Sequence, residues 1–402
     1  MGLRAPQLRR LHLWRALNHK RLGAPVGVCT AASLGVRFKL MDPLHSWLRP
    51  AGGGVYTVST GRSEQEALQK ALYGVTSPAQ IEAGWHRELA RVPQARAAIL
   101  GIPSDTGAGL VRGAAYGPQA LRQAWLAREG QGPQCFGGLI DVGDVRVVPQ
   151  LLHDEMLSEA QLAATRAALY PEVPAELSAA WPVSPLSIAQ EALECMLGRN
   201  PALKLLVMGG DHSVAWPVVA ALAKHEQQPW AIVHFDAHTD LLETRIGIRY
   251  CFATWAYHAV KALGDGARLV QLGIRASGRD RIHWESTYGV RQLWAQEVNG
   301  QSIGATVDQV LSHLHAQRVR NIYISNDIDG TDAASAPSTG TPEPAGLRPE
   351  LVLAVIAALG QNFNVVAADL VEVAPPIGAP TDAARTCELG VSYLLASATA
   401  ML

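Results

Sequence analysis

Short apolar runs alternate along the chain with longer segments in which apolar residues recur at helical spacing. The runs of strand type are Ala97–Gly101, Leu203–Met208, Ala231–Phe235, Leu269–Ile274, Asn321–Ser325 and Asn364–Ala368, and Leu139–Val148 reads as a strand pair or a strand with a turn. Helices are predicted at Glu64–Tyr73, Gln119–Arg128, Leu157–Ala168, Pro185–Leu197, Ser213–His225 and about Ala384–Ser397. Strands that are apolar throughout and alternate with helices predict an α/β protein whose mostly parallel sheet is covered on both faces.

Polar side chains follow the run Ala231–Phe235 at every second position, as Asp236, His238 and Asp240. Alternate residues of an extended chain share one face, so these three side chains are expected to converge where the strand ends. Two carboxylates and an imidazole suit a hard or borderline divalent cation. An ordinary polar strand end remains the alternative for this motif taken alone.

Two further strands also end in potential metal ligands. Leu203–Met208 is followed by His212, and Asn321–Ser325 by Asp327 and Asp329. The carboxyl ends of parallel strands meet at one edge of a sheet, where open α/β folds carry their sites. The six side chains exceed what one tetrahedral zinc requires and suit two divalent ions that share bridging carboxylates. Four carboxylates clustered without a cation would repel each other, which disfavours a purely structural reading.

Such a pair of ions generates a nucleophile from water at neutral pH, so hydrolysis is the predicted chemistry. A phosphoester, an amide or a guanidinium carbon would be a suitable electrophile. No cluster of lysine and arginine surrounds the motifs to hold a phosphate, so a phosphoester is the less favoured substrate.

Composition and charge exclude several classes of protein. The 402 residues are 48% hydrophobic and carry a formal net charge of −1, so a disordered chain and a partner such as nucleic acid or a membrane surface are not indicated. No apolar run approaches the roughly 20 residues of a membrane-spanning helix. The cysteines are scattered without a C-x-x-C pair and predict reduced thiols in a cytoplasmic setting; they are Cys29, Cys135, Cys195, Cys251 and Cys387.

The predicted domain organisation has three parts. Residues 1–40 are basic and contain no Asp or Glu, so they form a leader that either targets the protein or reflects an upstream start codon, and we expect it to be poorly ordered. Residues 41–95 are predicted to form an N-terminal arm and helices. Residues 96–402 are predicted to form the catalytic domain.

Several motifs resemble those of the arginase/agmatinase ureohydrolases. They are GGDH (Gly209–His212), DAHTD (Asp236–Asp240), SNDIDGTD (Ser325–Asp332), STGTPEPAGL (Ser338–Leu347), GIPSDTGAGLVRGAAYGP (Gly101–Pro118), GIR (Gly273–Arg275) and DLVEVAP (Asp369–Pro375). The resemblance implies a three-layer α/β/α sandwich, a metal pair that is usually manganese, cleavage of a guanidino group to release urea, and assembly into trimers or hexamers.

The resemblance also assigns the ligands. One ion would be bound by His212, Asp236, Asp240 and Asp327, and the other by Asp236, His238, Asp327 and Asp329. Asp240 would in addition act in catalysis by accepting a hydrogen bond that orients the attacking hydroxide.

Two positions depart from the family pattern. Phe252 aligns with a histidine that shuttles protons in members acting on arginine or agmatine. The glutamate that holds the substrate guanidinium should fall at Leu351, and the neighbouring Glu350 is one position away, a rotation of about 100° on a helix. Glu350 is retained as a candidate substrate-binding residue, and agmatinase activity is not the first expectation.

Other segments look like the nickel-dependent guanidine hydrolases, which convert free guanidine to urea and ammonia. These segments are PAGGGVYTVSTG (Pro50–Gly61), LLHD (Leu151–Asp154), VSPLS (Val183–Ser187), CFATWAYH (Cys251–His258) and HWESTYG (His283–Gly289). Phe252 and Trp255 would stack on a small planar cation, or simply fill the core. His258 and His283 are candidates to supply the proton, with a structural role as the alternative for each.

The favoured hypothesis is therefore a dinuclear hydrolase of free guanidine that uses Ni²⁺ or Mn²⁺, since both metals accept these ligands. The alternatives are an agmatinase or guanidinobutyrase with a longer pocket, a non-catalytic subunit that supports an active partner, and a deacetylase-like hydrolase with a single zinc ion.

Overall fold

A nine-stranded sheet forms the centre of the computed structural model, which describes residues 42–52, 61–130, 132 and 136–402. These residues all fall in one unit, Asp42–Leu402. The predicted leader, most of the glycine-rich segment Pro50–Gly61, Cys29 and Cys135 lie outside the described residues. The predicted domain boundaries stay a prediction.

The strand order is β1-β3-β2-β4-β9-β8-β5-β6-β7, and among the described strands only β1 pairs with its neighbour in antiparallel fashion. The strands are β1 (Leu48–Arg49), β2 (Ala97–Ile102), β3 (Leu139–Val145), β4 (Lys204–Gly209), β5 (Trp230–Phe235), β6 (Leu269–Leu272), β7 (Arg291–Leu293), β8 (Asn321–Asp327) and β9 (Asn364–Val371). The prediction of a mostly parallel sheet is confirmed. The segment Leu139–Val148 forms one strand that ends at Val145.

Helices cover both faces of this sheet. On one face lie α1 (Leu44–Trp47), α2 (Arg62–Tyr73), α3 (Ile81–Leu89), α5 (Glu159–Leu169), α7 (Pro185–Arg199), α8 (Ala215–His225) and α9 (Trp255–Leu263), whose buried residues share one apolar core. On the other lie α4 (Gly117–Glu129), α11 (Ala295–Asn299), α12 (Ile303–Ala316), α13 (Pro349–Asn362) and α14 (Pro380–Met401), which pack on a second core. The two cores separated by one sheet confirm the three-layer α/β/α sandwich.

Two further helices are α6 (Ala175–Ser178) and α10 (Arg281–Tyr288), and short 3₁₀ turns stand at Pro78–Gln80, Val92–Gln94, Ala114–Tyr116, Asp154–Met156, His212–Val214, Gly266–Arg268 and Ile328–Gly330. Local sequence signals set the helix ends. Ser158 caps α5 and accepts a hydrogen bond from the Gln161 backbone N–H, while Gly264 ends α9 in the left-handed conformation. Within the described residues, none of the helices is long and apolar enough to cross a membrane.

The order of the central strands places the predicted ligands together. Strands β4, β9, β8 and β5 are consecutive in the sheet, and three of them end in the motifs that carry His212, Asp236 and Asp327. All run parallel, so their carboxyl ends lie on the same edge. The positions of the motifs therefore follow from the topology.

At the other end of the sheet, a buried ion group fixes the N-terminal arm. Arg122 donates to Asp141 at 2.8 and 2.9 Å and to Asp144 at 2.5 Å, and we call these three residues the arginine triad. The second Asp144 oxygen accepts the Gly52 backbone N–H at 2.7 Å. Gly143, with a φ of 88°, lets β1 approach closely, since a Cβ there would lie 2.0 Å from the Arg49 carbonyl oxygen.

Candidate metal centre

The predicted ligands come together in two adjoining groups, which we name the His/Asp cluster; its members are His212, Asp236, His238, Asp240, Asp327 and Asp329. In the first group, His212 Nδ1 lies 3.1 Å from Asp236 Oδ2, 3.1 Å from Asp327 Oδ2 and 3.3 Å from Asp240 Oδ2. Three carboxylate oxygens thus surround one ring nitrogen; Asp236 and Asp240 follow β5, and Asp327 ends β8.

The second group is built around His238. Its Nδ1 lies 3.3 Å from Asp236 Oδ1 and 3.2 Å from Asp329 Oδ2. Asp236 therefore offers one oxygen to each group, which is the arrangement of a bridging carboxylate. His238 is the most exposed of these side chains, at 27%, whereas the first group is buried.

Backbone N–H groups hold the carboxylates in place. Asp236 Oδ1 accepts the His238 N–H at 2.5 Å, Asp327 Oδ1 accepts the Asp329 N–H at 2.8 Å, and Asp329 Oδ1 accepts the Ala237 N–H at 3.1 Å. Asp240 has a φ of 51°, a left-handed conformation that is uncommon for a residue other than glycine. Such a conformation persists only where its surroundings enforce it, and it is common at functional sites.

The crowding of charge shifts the pKa values of these groups. Burial, followed by the neighbouring carboxylates, raises the pKa of Asp327 and of Asp240 well above the usual range. Burial works to lower the pKa of His212, yet Asp236 and Asp327 hold it well above its usual value, and the pKa of His238 likewise rises to about 12. The carboxylates thus attract positive charge strongly.

The hydrogen bonds of His212 show that its ring is prepared to bind a metal. Ser325 Oγ donates to Asp369 at 3.1 Å, so it receives the Nε2–H of His212 at 3.0 Å. Nδ1 is buried among the three carboxylates without a hydrogen-bond partner, and it can bind a cation there once it gives up the proton that these carboxylates favour. A second partner on the far ring nitrogen is typical of ligating histidines. The residues therefore fit a divalent cation.

Two sets of side chains among the described residues bring ligand atoms close enough together to hold a metal ion. They are His212, His234, Asp236 and Asp240, and Asp236, His238 and Asp329. His234 was not predicted from the sequence, because it lies inside β5 rather than after it. Its Nε2 lies 2.8 Å from Asp236 Oδ2, and burial lowers its pKa.

A second buried residue next to the site, Glu372, was also not predicted from the sequence. Glu372 has a φ of 61°, and its Oε1 accepts the His212 backbone N–H at 3.0 Å. Burial, followed by Asp211, raises its pKa well above the usual range. The only sequence signal was its place in the DLVEVAP motif.

The two aromatic residues predicted to stack on a substrate differ in their surroundings. Phe252 is half-buried, and the guanidinium of Arg245 lies 5.0 Å from its ring centroid. Trp255 is fully buried, and its indole N–H donates to Asp240 Oδ2 at 3.0 Å. Its ring centroid lies 4.7 Å from that of His212. Trp255 therefore contacts the cluster itself, and the burial of its ring supports the alternative that it fills the core.

The three remaining predicted residues are not brought to the His/Asp cluster by any contact in the described part of the chain. His258 Nε2 bonds the Arg249 carbonyl at 2.9 Å, and its ring packs on Trp216 and Tyr250. His283 is exposed on α10. Glu350 is exposed in the first turn of α13, whereas the adjacent Leu351 is fully buried in the core. These contacts lend no support to the predicted roles of the three residues.

The fold and the site together define a class of protein, an α/β/α sandwich that gathers histidines and aspartates for a metal centre at the carboxyl edge of its sheet. The sequence profile of the Arginase family matches residues 95–397. The chain belongs to the arginase family, whose members are amidinohydrolases that cleave C–N bonds and release urea. The resemblance noted from the motifs is confirmed. The family depends on a dinuclear metal centre, and its members are typically oligomers that act on small guanidino compounds.

Individual relatives differ in the substrates that their names indicate. The mitochondrial agmatinase of Gallus gallus is 34% identical over 292 residues, which cover 69% of this chain and 74% of that protein. The guanidinobutyrase of Pseudomonas aeruginosa is 29% identical over 346 residues, covering 84% and 90%. The solved structure of proclavaminate amidinohydrolase from Streptomyces clavuligerus matches with a TM-score of 0.58 at 29% identity, covering 77% of this chain and 94% of that one.

Proposed function

We propose that the protein is a dinuclear-metal hydrolase that attacks a guanidinium carbon and releases urea, with free guanidine as its favoured substrate. The observation that carries the reaction type is the unpartnered His212 Nδ1 enclosed by three carboxylate oxygens. When bound, two divalent ions lower the pKa of a water molecule from about 15.7 toward 7.

The chain's own residues would hold and orient the reactants. His212, Asp236, Asp240 and Asp327 would bind one ion, and Asp236, His238, Asp327 and Asp329 the other. The Trp255 indole N–H donates to Asp240 Oδ2, so Oδ1 remains to accept a hydrogen bond that orients the attacking hydroxide. His258 and His283 remain the predicted candidates to supply the proton to the leaving nitrogen.

Two observations support a small substrate. Leu351, which stands where the family motif implies a glutamate, is buried in the core, and Glu350 is exposed. The anchor for a substrate guanidinium implied by that motif is therefore missing from this helix.

One observation favours a second candidate, a guanidino acid such as 4-guanidinobutyrate. The cationic side chain of Arg245 at the Phe252 ring would attract a distal carboxylate and repel the ammonium group of agmatine. The guanidinobutyrase and the agmatinase among the relatives represent these two types of substrate.

We further propose that the metals are Ni²⁺ or Mn²⁺, that the protein is a homo-oligomer, a trimer or a hexamer, and that it is cytoplasmic. The ligand set of imidazole and carboxylate groups supports either metal. Metal analysis together with sedimentation of the loaded protein tests the first two points.

The deciding experiment measures urea release from guanidine, agmatine, arginine and 4-guanidinobutyrate after loading with each metal. We expect guanidine to give the highest kcat/KM, and Asp327→Asn to abolish urea release from every substrate. A strong preference for a long-chain substrate would contradict the choice of guanidine. Two bound ions without any urea would point to a non-catalytic subunit, and one ion per chain to a single-zinc hydrolase.

A further inference from the structure

A row of buried polar side chains crosses the sheet toward the His/Asp cluster. His234 on β5 is the register partner of Gln271 on β6, which in turn is the partner of Gln292 on β7. All three are fully buried. We name these residues, together with Trp294, the glutamine chain. Burying an amide in a sheet interior costs free energy unless the amide is hydrogen-bonded, so each of these side chains should have a partner.

The hydrogen bonds of this chain run continuously from β7 to the cluster. Trp294 Nε1–H donates to Gln292 Oε1 at 2.9 Å, and Gln292 Nε2 donates to Gln271 Oε1 at 2.8 Å. Gln271 Nε2 lies 2.9 Å from His234 Nδ1. His234 Nε2 lies 2.8 Å from Asp236 Oδ2, the carboxylate oxygen that also faces His212.

Two groups that have only one hydrogen-bonding role fix the direction of every bond. The indole N–H of Trp294 can only donate, so the oxygen of Gln292 must face it. The Thr239 carbonyl can only accept, and it lies 2.8 Å from Gln271 Nε2, so the amide nitrogen of Gln271 must lie on that side. The same nitrogen then donates its second hydrogen to His234 Nδ1.

These hydrogen bonds determine the tautomer of His234. Since Nδ1 accepts, the ring proton is on Nε2 and is donated to Asp236 Oδ2. Both ring nitrogens are then engaged, and neither has a lone pair left for a metal. The proximity of His234 Nε2 to the ligand atoms of the first group therefore does not make it a ligand.

We propose that the glutamine chain locks His234 in the Nε2–H form and thereby makes it a positioning residue for the bridging carboxylate of Asp236. This rests on the proposed function in one respect, that Asp236 binds metal. The tautomer and its cause depend only on the protein.

The first test therefore needs no metal and no substrate. Nitrogen NMR of the full chain labelled with ¹⁵N-histidine reports which ring nitrogen of each histidine carries the proton, and His234→Gln identifies the signal of interest. We expect a protonated Nε2 and an unprotonated Nδ1 in the wild type. A proton on Nδ1, or on both nitrogens, in the metal-free or the metal-loaded protein overturns the proposal.

The second test removes the donor with Gln271→Leu and compares it with Gln69→Leu. Gln69 is also buried, and its Nε2 donates to the Ala51 carbonyl at 2.9 Å, away from the cluster. Outer partners of metal ligands typically change metal affinity by about 10–100-fold, so we expect Gln271→Leu to weaken metal binding by that factor while Gln69→Leu leaves it unchanged. Gln292→Leu, which leaves the Gln271 donor in place, should have a smaller effect and serves if Gln271→Leu does not fold.

Metal affinity is measured by competition with a chelator, and the absorption spectrum of the Co²⁺-loaded protein reports any new histidine ligand. Unchanged affinity and spectrum in Gln271→Leu, or an equal loss in Gln69→Leu, would refute the positioning role. Failure of the wild type to release urea from any guanidino compound would refute the proposed function alone, because the NMR result decides the tautomer independently.

Discussion

Two groups of buried carboxylates among the described residues, the arginine triad and the His/Asp cluster, are balanced in different ways. In the arginine triad, Asp141 and Asp144 share a guanidinium whose charge is permanent and which is itself fully buried. In the His/Asp cluster, the nearest cationic partners of the carboxylates are imidazoles, whose charge is not permanent, and one imidazole nitrogen among them has no hydrogen-bond partner. The triad is complete within the chain, whereas the cluster is arranged to receive cations from outside. Burial of acids alone does not mark a functional site; the missing countercharge does.

The largest effect is expected from the triad. Removing one partner of a buried ion group leaves an uncompensated charge, so Arg122→Met should lower the free energy of unfolding by about 3–5 kcal/mol. Urea denaturation of the metal-free protein measures this. Replacing Asp141 and Asp144 by leucine in the same variant should restore much of the loss, and a mild effect of Arg122→Met alone would remove the contrast between the two groups.

In the His/Asp cluster, by contrast, removing a charge should weaken metal binding without lowering the stability of the metal-free protein. Asp327→Asn should weaken metal binding by more than about 100-fold, beyond the range for outer partners, and burial beside Asp329 and Asp236 already raises the pKa of Asp327. The stability of the metal-free protein should stay the same or increase, because one of several repelling carboxylates is gone. Metal at 100 times its Kd stabilises a protein by about 2.7 kcal/mol, so this increment should appear in the wild type and vanish in the variant. Thermal unfolding with and without metal checks both points, and destabilisation of the metal-free variant would contradict them.

A smaller effect should separate two buried tryptophans. Trp255→Phe removes the hydrogen bond to Asp240 Oδ2 but keeps a ring against His212, so metal affinity should fall by about 10–100-fold. Trp85→Phe removes a buried indole bond to the Val142 carbonyl, 2.8 Å long, and should cost about 1–3 kcal/mol of stability without changing metal affinity. Chelator competition measures the metal affinity of both variants. Equal losses of affinity in the two would leave Trp255 with a packing role only.

The smallest expected effect is a pH dependence of stability that arises from Asp144 in the arginine triad. Burial raises the pKa of Asp144 above its ordinary 3.8, and Arg122 opposes that rise. A carboxyl with a raised pKa holds its proton more tightly when folded, so its contribution to stability is complete below pH 3.8 and is lost as the pH rises through the folded pKa. The difference in unfolding free energy between wild type and Asp144→Asn should therefore shrink as the pH rises in the metal-free protein. A difference that grows with pH would show that Arg122 outweighs burial.

The parts of the site that could be predicted from the sequence are those set by local spacing. Asp236, His238 and Asp240 alternate at the end of an apolar strand, so their convergence follows from the two-residue period of an extended chain. The sheet could be predicted in the same way, although the helices α9 to α12 and the three-residue strand β7 were missed. A short strand carries too few residues to show a period.

The rest depends on which strands become neighbours and in what register. His234 and Gln271 meet only because β5 pairs with β6 at those positions, and no local pattern specifies that. The orientation of Trp255 likewise follows from the packing of α9 against the cluster. The sequence left open whether its ring stacks on a substrate or fills the core, and the burial of the ring supports the second role.

The antiparallel strand β1 also affects how the protein can be shortened. It covers the outer side of β3, and its continuation is tied down where Tyr73 Oη accepts the Ala51 N–H at 2.8 Å. An uncovered strand at the border of a sheet invites pairing with another molecule and hence aggregation. A version of the chain cut back to the start of the family match at residue 95 would keep every residue of the His/Asp cluster yet lose this cover. We therefore expect a truncated chain that begins at Asp42 to remain monodisperse under conditions in which one that begins at residue 95 precipitates.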